Sequence, residues 1–405
     1  MAGPDGQNAE ITPPPRYCSV SIPVYFWFPV FGCLGLGFIA MSVPPVADQF
    51  MSLFSVGYGG LSFFLSAIYW TQAAIQVPAG LLVDRIGMLR AFLAALALCT
   101  IGSLGPLLQP DNLSLAVSFR LLIGVSSGMM FLVLMKILQT LTPANRVARV
   151  QGAQGAAFSL GTMLPYFTLP LFGSSGWLAA YFSGPIFCVV IGLCVFRLPL
   201  APLRESRSTA GFAQIWQTMK DIAGSRQIWF LGCCHGLAFG SLTTLGSWLP
   251  AILADMRAGS VIDDWAVVTG AILLVGTTGR IFSGDVSRLM PRETLIRRAM
   301  LCIGLLYALM ALSDAPLYAL IPAVALAALC GSTYAAIFTL TIDISSPSYV
   351  ATAVGFMNMI ANGVNILLIL LLGNTREFFG GFGPGLWLVV LIAAGLYVWG
   401  RRKFL

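Results

Sequence analysis

From Ile22 to Gly400 the sequence is a succession of long apolar runs, parted by short breaks that hold nearly all of the charge. A helix of about twenty residues rises about 30 Å, the thickness of the hydrocarbon core of a bilayer. A soluble globule needs charged residues at about a quarter of its positions. Here they make up 9% of 405 residues, against 58% hydrophobic, and the mean hydropathy is +0.88. Most of the surface must therefore face lipid. The runs lack the short alternating pattern of a transmembrane barrel, so the spans are helices. The expected fold is an all-α membrane protein of twelve transmembrane helices in two pseudo-symmetric six-helix bundles.

The spans fall at about 22–45, 58–82, 88–108, 113–138, 149–172, 176–197, 227–254, 264–287, 295–313, 316–342, 350–373 and 382–400. The sequence thus divides into a polar, proline-rich tail at 1–21, a first bundle at 22–197 and a linker at 198–226, followed by a second bundle at 227–400 and a basic tail at 401–405. The first tail has no basic region leading into a cleavable apolar segment, so it is expected to be disordered and cytoplasmic rather than a signal peptide. In the linker, Phe212, Ile215, Trp216, Met219 and Ile222 recur at helical spacing. That apolar face is expected on the inner membrane surface.

The bases orient the chain. With the N-terminus inside, seventeen of the 22 lysines and arginines fall in cytoplasmic segments, and only Arg257 and Arg376 fall outside. Arg120, Lys136 and Arg280 lie within spans. This asymmetry places both termini in the cytoplasm. It also accounts for the net charge of +7 through anionic lipid, with no nucleic-acid partner. The nine cysteines are scattered without metal-ligand spacing and read as small packing residues. No metal, cofactor or catalytic constellation is legible, so an enzyme is not expected.

One break is denser in charge than its surroundings: "GLLVDRIGMLR", Gly80 to Arg90, between the second and third spans. Its pattern of Gly80, Leu82, Asp84, Arg85, Gly87 and Arg90 resembles the signature loop of the major facilitator superfamily, which lies between the second and third of twelve spans. The fragment "GRIFSGDVSRLMPR" after the eighth span resembles a degraded second copy, with Gly284 aligned to Gly80, Arg288 at the place of Asp84, and Asp285 displaced. "RLLIGVSSG", with Arg120, Gly124 and Gly128, is similar to the family's fourth-span motif. The resemblance implies a secondary transporter working by alternating access. Gly80, Asp84, Arg85, Gly87, Arg90, Gly284, Asp285 and Arg288 would then form an asymmetric inner gate.

Charges at bilayer depth are costly and are functional candidates by default. Arg280 lies eight residues before Arg288, as Gln76 lies eight before Asp84, which makes the two a pseudo-symmetric pair. Organic-anion carriers of the superfamily, such as the oxalate/formate and monocarboxylate carriers, hold a substrate arginine at this place in the eighth span. The resemblance therefore implies that Arg280 binds the carboxylate of a small organic monoanion, by proton symport or anion exchange. Gln76, His235, Tyr69, Gln72, Asn358, Asn362, Tyr334 and Arg120 are the further substrate candidates. Tyr69, Gln72 and Gln76 share one helical face, as do Asn358, Asn362 and Asn365. The alternative is a carrier of a neutral or cationic solute or drug, with Arg280 structural. A non-transporting membrane sensor is the third reading. The partners expected are the bilayer, a small-molecule substrate and protons. The chain is expected to be a monomer in a bacterial inner membrane.

Overall fold

The computed structural model describes residues 22–141, 144–195, 212–256, 264–345 and 350–401. The N-terminal tail, linker residues 198–211 and basic-tail residues 402–405 lie outside the described residues. Twelve long helices carry the chain. In the first half α1 is Ile22–Ala40, α2 Tyr58–Ile86, α3 Met88–Leu104, α4 Leu113–Leu141, α5 Ala144–Thr168 and α6 Gly176–Val195. In the second half α7 is Arg226–Asp255, α8 Trp265–Ile281 and α9 Arg292–Ala311. Helix α10 runs Pro316–Ser332 and resumes as Tyr334–Asp343; α11 is Val350–Phe379 and α12 Gly383–Arg401. Among the described residues, nine helical stretches are long and apolar enough to cross a membrane, one of them, Ala153–Val195, holding both α5 and α6. Trp265–Ile281 is a shorter apolar helix.

The helix pairings repeat between the halves. Helix α1 packs on α5 as α7 packs on α11; α2 on α4 as α8 on α10; α3 on α6 as α9 on α12. The two main contacts between the halves, α2 with α11 and α5 with α8, are also related by this repeat. The architecture is two six-helix bundles with pseudo-symmetry, as the sequence implied.

Small residues set the crossings, because lipid supplies no hydrophobic drive to bring helices together and close packing must do it. A side chain at Gly161 on α5 would overlap the Leu34 carbonyl of α1. One at Gly124 on α4 would overlap the Ile68 carbonyl of α2, and one at Gly331 on α10 the Gly276 carbonyl of α8. Gly124 lies over Ile68 of α2 much as Gly331 lies over Gly276 of α8.

Several boundaries differ from the sequence reading. The first span stops at Ala40 rather than about 45, because Pro44 and Pro45 start a 3-10 turn, Pro44–Val46, which leads into a short helix, Ala47–Phe54. Helix α8 ends at Ile281; a turn at Phe282 and a four-residue helix, Ser283–Val286, replace its expected last turns. The linker segment is helical over Phe212–Ala223. It packs against α11 and α7, and Ile222 is buried.

The loop between α2 and α3 is a single residue, Gly87, at φ 85° and ψ 153°. Only glycine adopts that backbone without strain. Gly87→Val is expected to destabilise the fold by about 1–3 kcal/mol. The check is a lower thermal melting point of the purified protein, with Gly284→Val as the control. No neighbour lies within 4 Å of a side chain placed at Gly284, and its φ is not in the positive range.

Candidate functional site

The tight α8–α10 crossing builds the site. Gly279 on α8 faces Ala328 on α10 and Gly331 on α10 faces Gly276, while Gly276 also meets the Leu242 side chain of α7. A side chain at Gly331 would also lie 2.8 Å from the Arg280 backbone nitrogen. The hydrogen-bond ladder of α10 is interrupted at Thr333, where the backbone stays in the helical region at φ −78° and ψ −14°, and the chain continues as the helix that carries Tyr334 and Phe338. The Arg280 guanidinium sits 3.9 Å from the centroid of the Tyr334 ring. Its Nη1 donates to the Ser159 hydroxyl of α5, 2.8 Å away in the other bundle. Its Nε is buried with no hydrogen-bond partner.

Around this centre lie aromatic rings. Tyr334 and Phe338 are 4.3 Å apart between centroids. His235 meets Phe338 edge-on at 5.1 Å, lies 6.1 Å from Tyr334 and stacks on Phe239 at 6.0 Å. Phe239 in turn meets Tyr69 of α2 edge-on at 6.4 Å, across the bundle interface. Beside Arg280 is a cavity of about 40 Å³, walled by Met41, Phe158, Phe239, Leu242 and Leu273 and by the hydroxyls of Ser159, Thr162, Thr243 and Thr277. No carboxylate lines it.

The structure thus brings Arg280, Tyr334, His235 and Tyr69 together. It does not bring Arg120 there. Arg120 is on the same face of α4 as Gly124 and Gly128, the face that packs on α2. It is buried inside the first bundle, 4.8 Å from the Phe64 centroid, with Nη2 3.4 Å from the Ala40 carbonyl. Gln72 and Gln76 are half-buried on α2 and do not line the enclosed cavity. Asn362 donates to the Asn358 carbonyl at 3.0 Å, within its own helix. Asn365 is fully buried against α7, where Gly240 makes room for it.

Of the gate residues, Gly87 forms the turn described above, and Arg85 and Arg90 are exposed beside it. The side chain of Asp84, like Gly80, lies outside the described set. Asp285 does not reach back to Arg280; it faces Arg288 at 3.9 Å, both strongly exposed. At that separation and exposure the pair contributes little.

At the end of the molecule opposite Gly87 the bundles are fastened by residues that the sequence reading did not single out. The Glu377 carboxylate, at the end of α11, accepts from the Gly59 backbone nitrogen in the first turn of α2, at 2.6 Å. A negative charge at a helix N-terminus is favourable. Next to it, Arg376 Nη2 donates to Asp255 at 3.0 Å, and its guanidinium lies 5.0 Å from the Tyr58 centroid. Asn374 donates to the Ser62 hydroxyl at 3.4 Å. Inward of this, Met41, Met163, Tyr166, Ala266 and Leu273 form an apolar plug across the bundle interface. The plug separates the 40 Å³ cavity from a polar vestibule of about 710 Å³ floored by Tyr58, Leu61 and Trp248. Adjacent Arg376 and Glu377, at the end of an apolar run on the base-poor side, were the available signal.

A family model described as Major Facilitator Superfamily matches residues 26–369. A Bacillus subtilis (strain 168) protein named "Putative metabolite transport protein YwtG" is 26% identical over 178 residues. That match covers 41% of this chain and 38% of the relative's length. Among solved structures, the nucleoside transporter NupG (D323A mutant) superposes with a TM-score of 0.76 at 9% identity, covering 94% of this chain and all of the other. The inward-open xylose transporter XylE from E. coli gives 0.76 at 14% identity, covering 94% and 96%. A D-xylose-proton symporter gives 0.75 at 16%, covering 95% and 98%. At these identities the likeness is one of fold.

Glu377→Ala is expected to loosen the end opposite Gly87. Losing a charge-assisted bond that contributes about 1.5 kcal/mol to closure raises the open fraction about tenfold. The reporter is Ser62→Cys, at a buried position, in a background without other reactive cysteines. A water-soluble maleimide should label it correspondingly faster when Glu377 is removed.

Proposed function

The chain belongs to the major facilitator superfamily, and on that premise we propose that it is a secondary transporter moving a small organic monoanion by alternating access. One observation carries the substrate class. Arg280 is a cation lining a cavity between the bundles, its Nε is buried without a partner, and no carboxylate lines that cavity. Arg280 is half-buried at the bundle interface, where an anion would complete its hydrogen bonding and supply a balancing negative charge. A substrate carboxylate supplies that charge, and the planar guanidinium matches it bidentately. Phe158, Phe239, Leu242 and Leu273 on the cavity wall face the apolar body of the substrate, with Tyr334, His235 and Tyr69 behind them.

The two bundles, 22–197 and 227–400, rock about this site. The end bearing Gly87 and most of the bases is cytoplasmic, as are both termini, so the fastened end is the closed outer gate. Gly80, Asp84, Arg85, Gly87 and Arg90, with Gly284, Asp285 and Arg288, form the inner one. Coupling is proton symport or anion exchange. His235, the single histidine of the chain, stands next to the site.

A second reading has its own support. Four hydroxyls line the cavity, and solved neighbours include xylose and nucleoside transporters. A neutral, hydroxyl-rich solute would use those hydroxyls and leave Arg280 structural.

Ligand-induced thermal stabilisation of the purified protein separates the two, since a ligand of the folded state raises its apparent stability. A monocarboxylate is expected to stabilise the wild type. Arg280→Gln is expected to weaken that binding by about 10- to 100-fold, the range for a lost hydrogen-bonded charge contact. Stabilisation by sugars or nucleosides alone, unchanged in Arg280→Gln, would establish the second reading.

A further inference from the structure

We infer that Ser159 is a positioning residue for the substrate anion: from the opposite bundle it holds the Arg280 guanidinium in the one orientation that leaves its Nε edge for a carboxylate. This rests on the anion reading above.

The argument is one of hydrogen-bond geometry. A guanidinium on a long stem has two orientations to fix, its plane and its rotation within that plane. The Tyr334 ring, 3.9 Å from the guanidinium carbon, restrains the plane. The bond from Nη1 to the Ser159 hydroxyl, 2.8 Å, restrains the rotation. What remains is the edge made by Nε and Nη2, and Nε is buried with nothing to bond. That edge carries two parallel N–H groups, the fork that binds a carboxylate bidentately.

The Ser159 hydroxyl cannot itself serve the anion. It donates its one proton to the Gly155 carbonyl a turn earlier, at 3.3 Å. Toward Arg280 it is therefore an acceptor, and an acceptor repels a carboxylate oxygen. Its effect on the substrate must pass through the guanidinium. Ser159 is on α5 and Arg280 on α8, the pair of helices that forms one of the two main contacts between the bundles. The bond therefore exists only while those helices are together at this level, and substrate affinity is tied to the relative position of the bundles.

The test uses the full-length protein with acetate, lactate and benzoate as probes and dissociation constants as the readout. Ser159→Ala is expected to weaken whichever of these carboxylates bind by about tenfold, the low end for a hydrogen bond to a charged group, and by a similar factor for each. The melting point without ligand should hardly move. Ser159→Thr should restore wild-type affinity, because a helical threonine makes the same bond one turn back and keeps an acceptor lone pair. Ser159→Cys keeps the volume but is a poor acceptor, so it should behave as alanine does; it serves if Ser159→Ala folds poorly. Unchanged affinity in Ser159→Ala and Ser159→Cys, with binding lost in Arg280→Gln, would overturn this inference and leave the anion reading intact. Binding unchanged in Arg280→Gln, or no carboxylate bound by the wild type, would overturn both.

Discussion

A single cation at the boundary between two helical bundles organises this molecule. Arg280 is held at bilayer depth with no carboxylate on the cavity beside it, and it is stabilised by an aromatic face and one hydroxyl instead. Those partners stay close only because α8 and α10 cross with glycines and alanines between them. Gly331 lies against the backbone at Arg280, and Tyr334, three residues on, lies under the guanidinium. The α2–α4 crossing of the first bundle has a charge of its own, Arg120, but it is turned into that bundle. The helix pairing is pseudo-symmetric, and the asymmetry of chemistry is laid over it.

The bundle interface has two layers at the end opposite Gly87. The outer layer is polar: Glu377 at the start of α2, and Arg376 between Asp255 and Tyr58. The inner layer is the apolar plug around Tyr166. The polar layer is made of few contacts in a partly hydrated place, where each contributes little and can be exchanged for water. The plug residues Met41 and Leu273 also line the Arg280 cavity. Toward the other end, a side chain added at Gly155 on α5 or Gly355 on α11 would meet nothing within 4 Å.

Much of the fold was legible because the bilayer imposes a length and a composition on every span. A long helix stands at each of the twelve predicted places; two end early, at Ala40 and Ile281, where proline or a turn stops them, and others run past the predicted bounds, as α11 does to Phe379. Arg280 also stood out, as a charge in an apolar run. The same rule flagged Arg120, and there it led elsewhere. Arg120 shares a face with the glycines that pack α4 on α2, so it is turned into its own bundle. Ser159 was not visible, since a serine in an apolar helix is ordinary until its partner is known, and that partner is 121 residues away. The Gly59–Glu377 bond joins residues 318 apart. Contacts between bundles depend on how twelve helices assemble, and no periodicity within one helix encodes them.

The central claim is that the cavity at Arg280 takes an organic monoanion across the membrane. Counterflow in proteoliposomes tests it most directly: vesicles loaded with an unlabelled monocarboxylate and diluted into a trace of the labelled one. The account predicts transient, saturable accumulation of label that a wild-type carrier shows and protein-free vesicles do not. No accumulation with any monocarboxylate, alongside counterflow of a sugar or nucleoside, would contradict it.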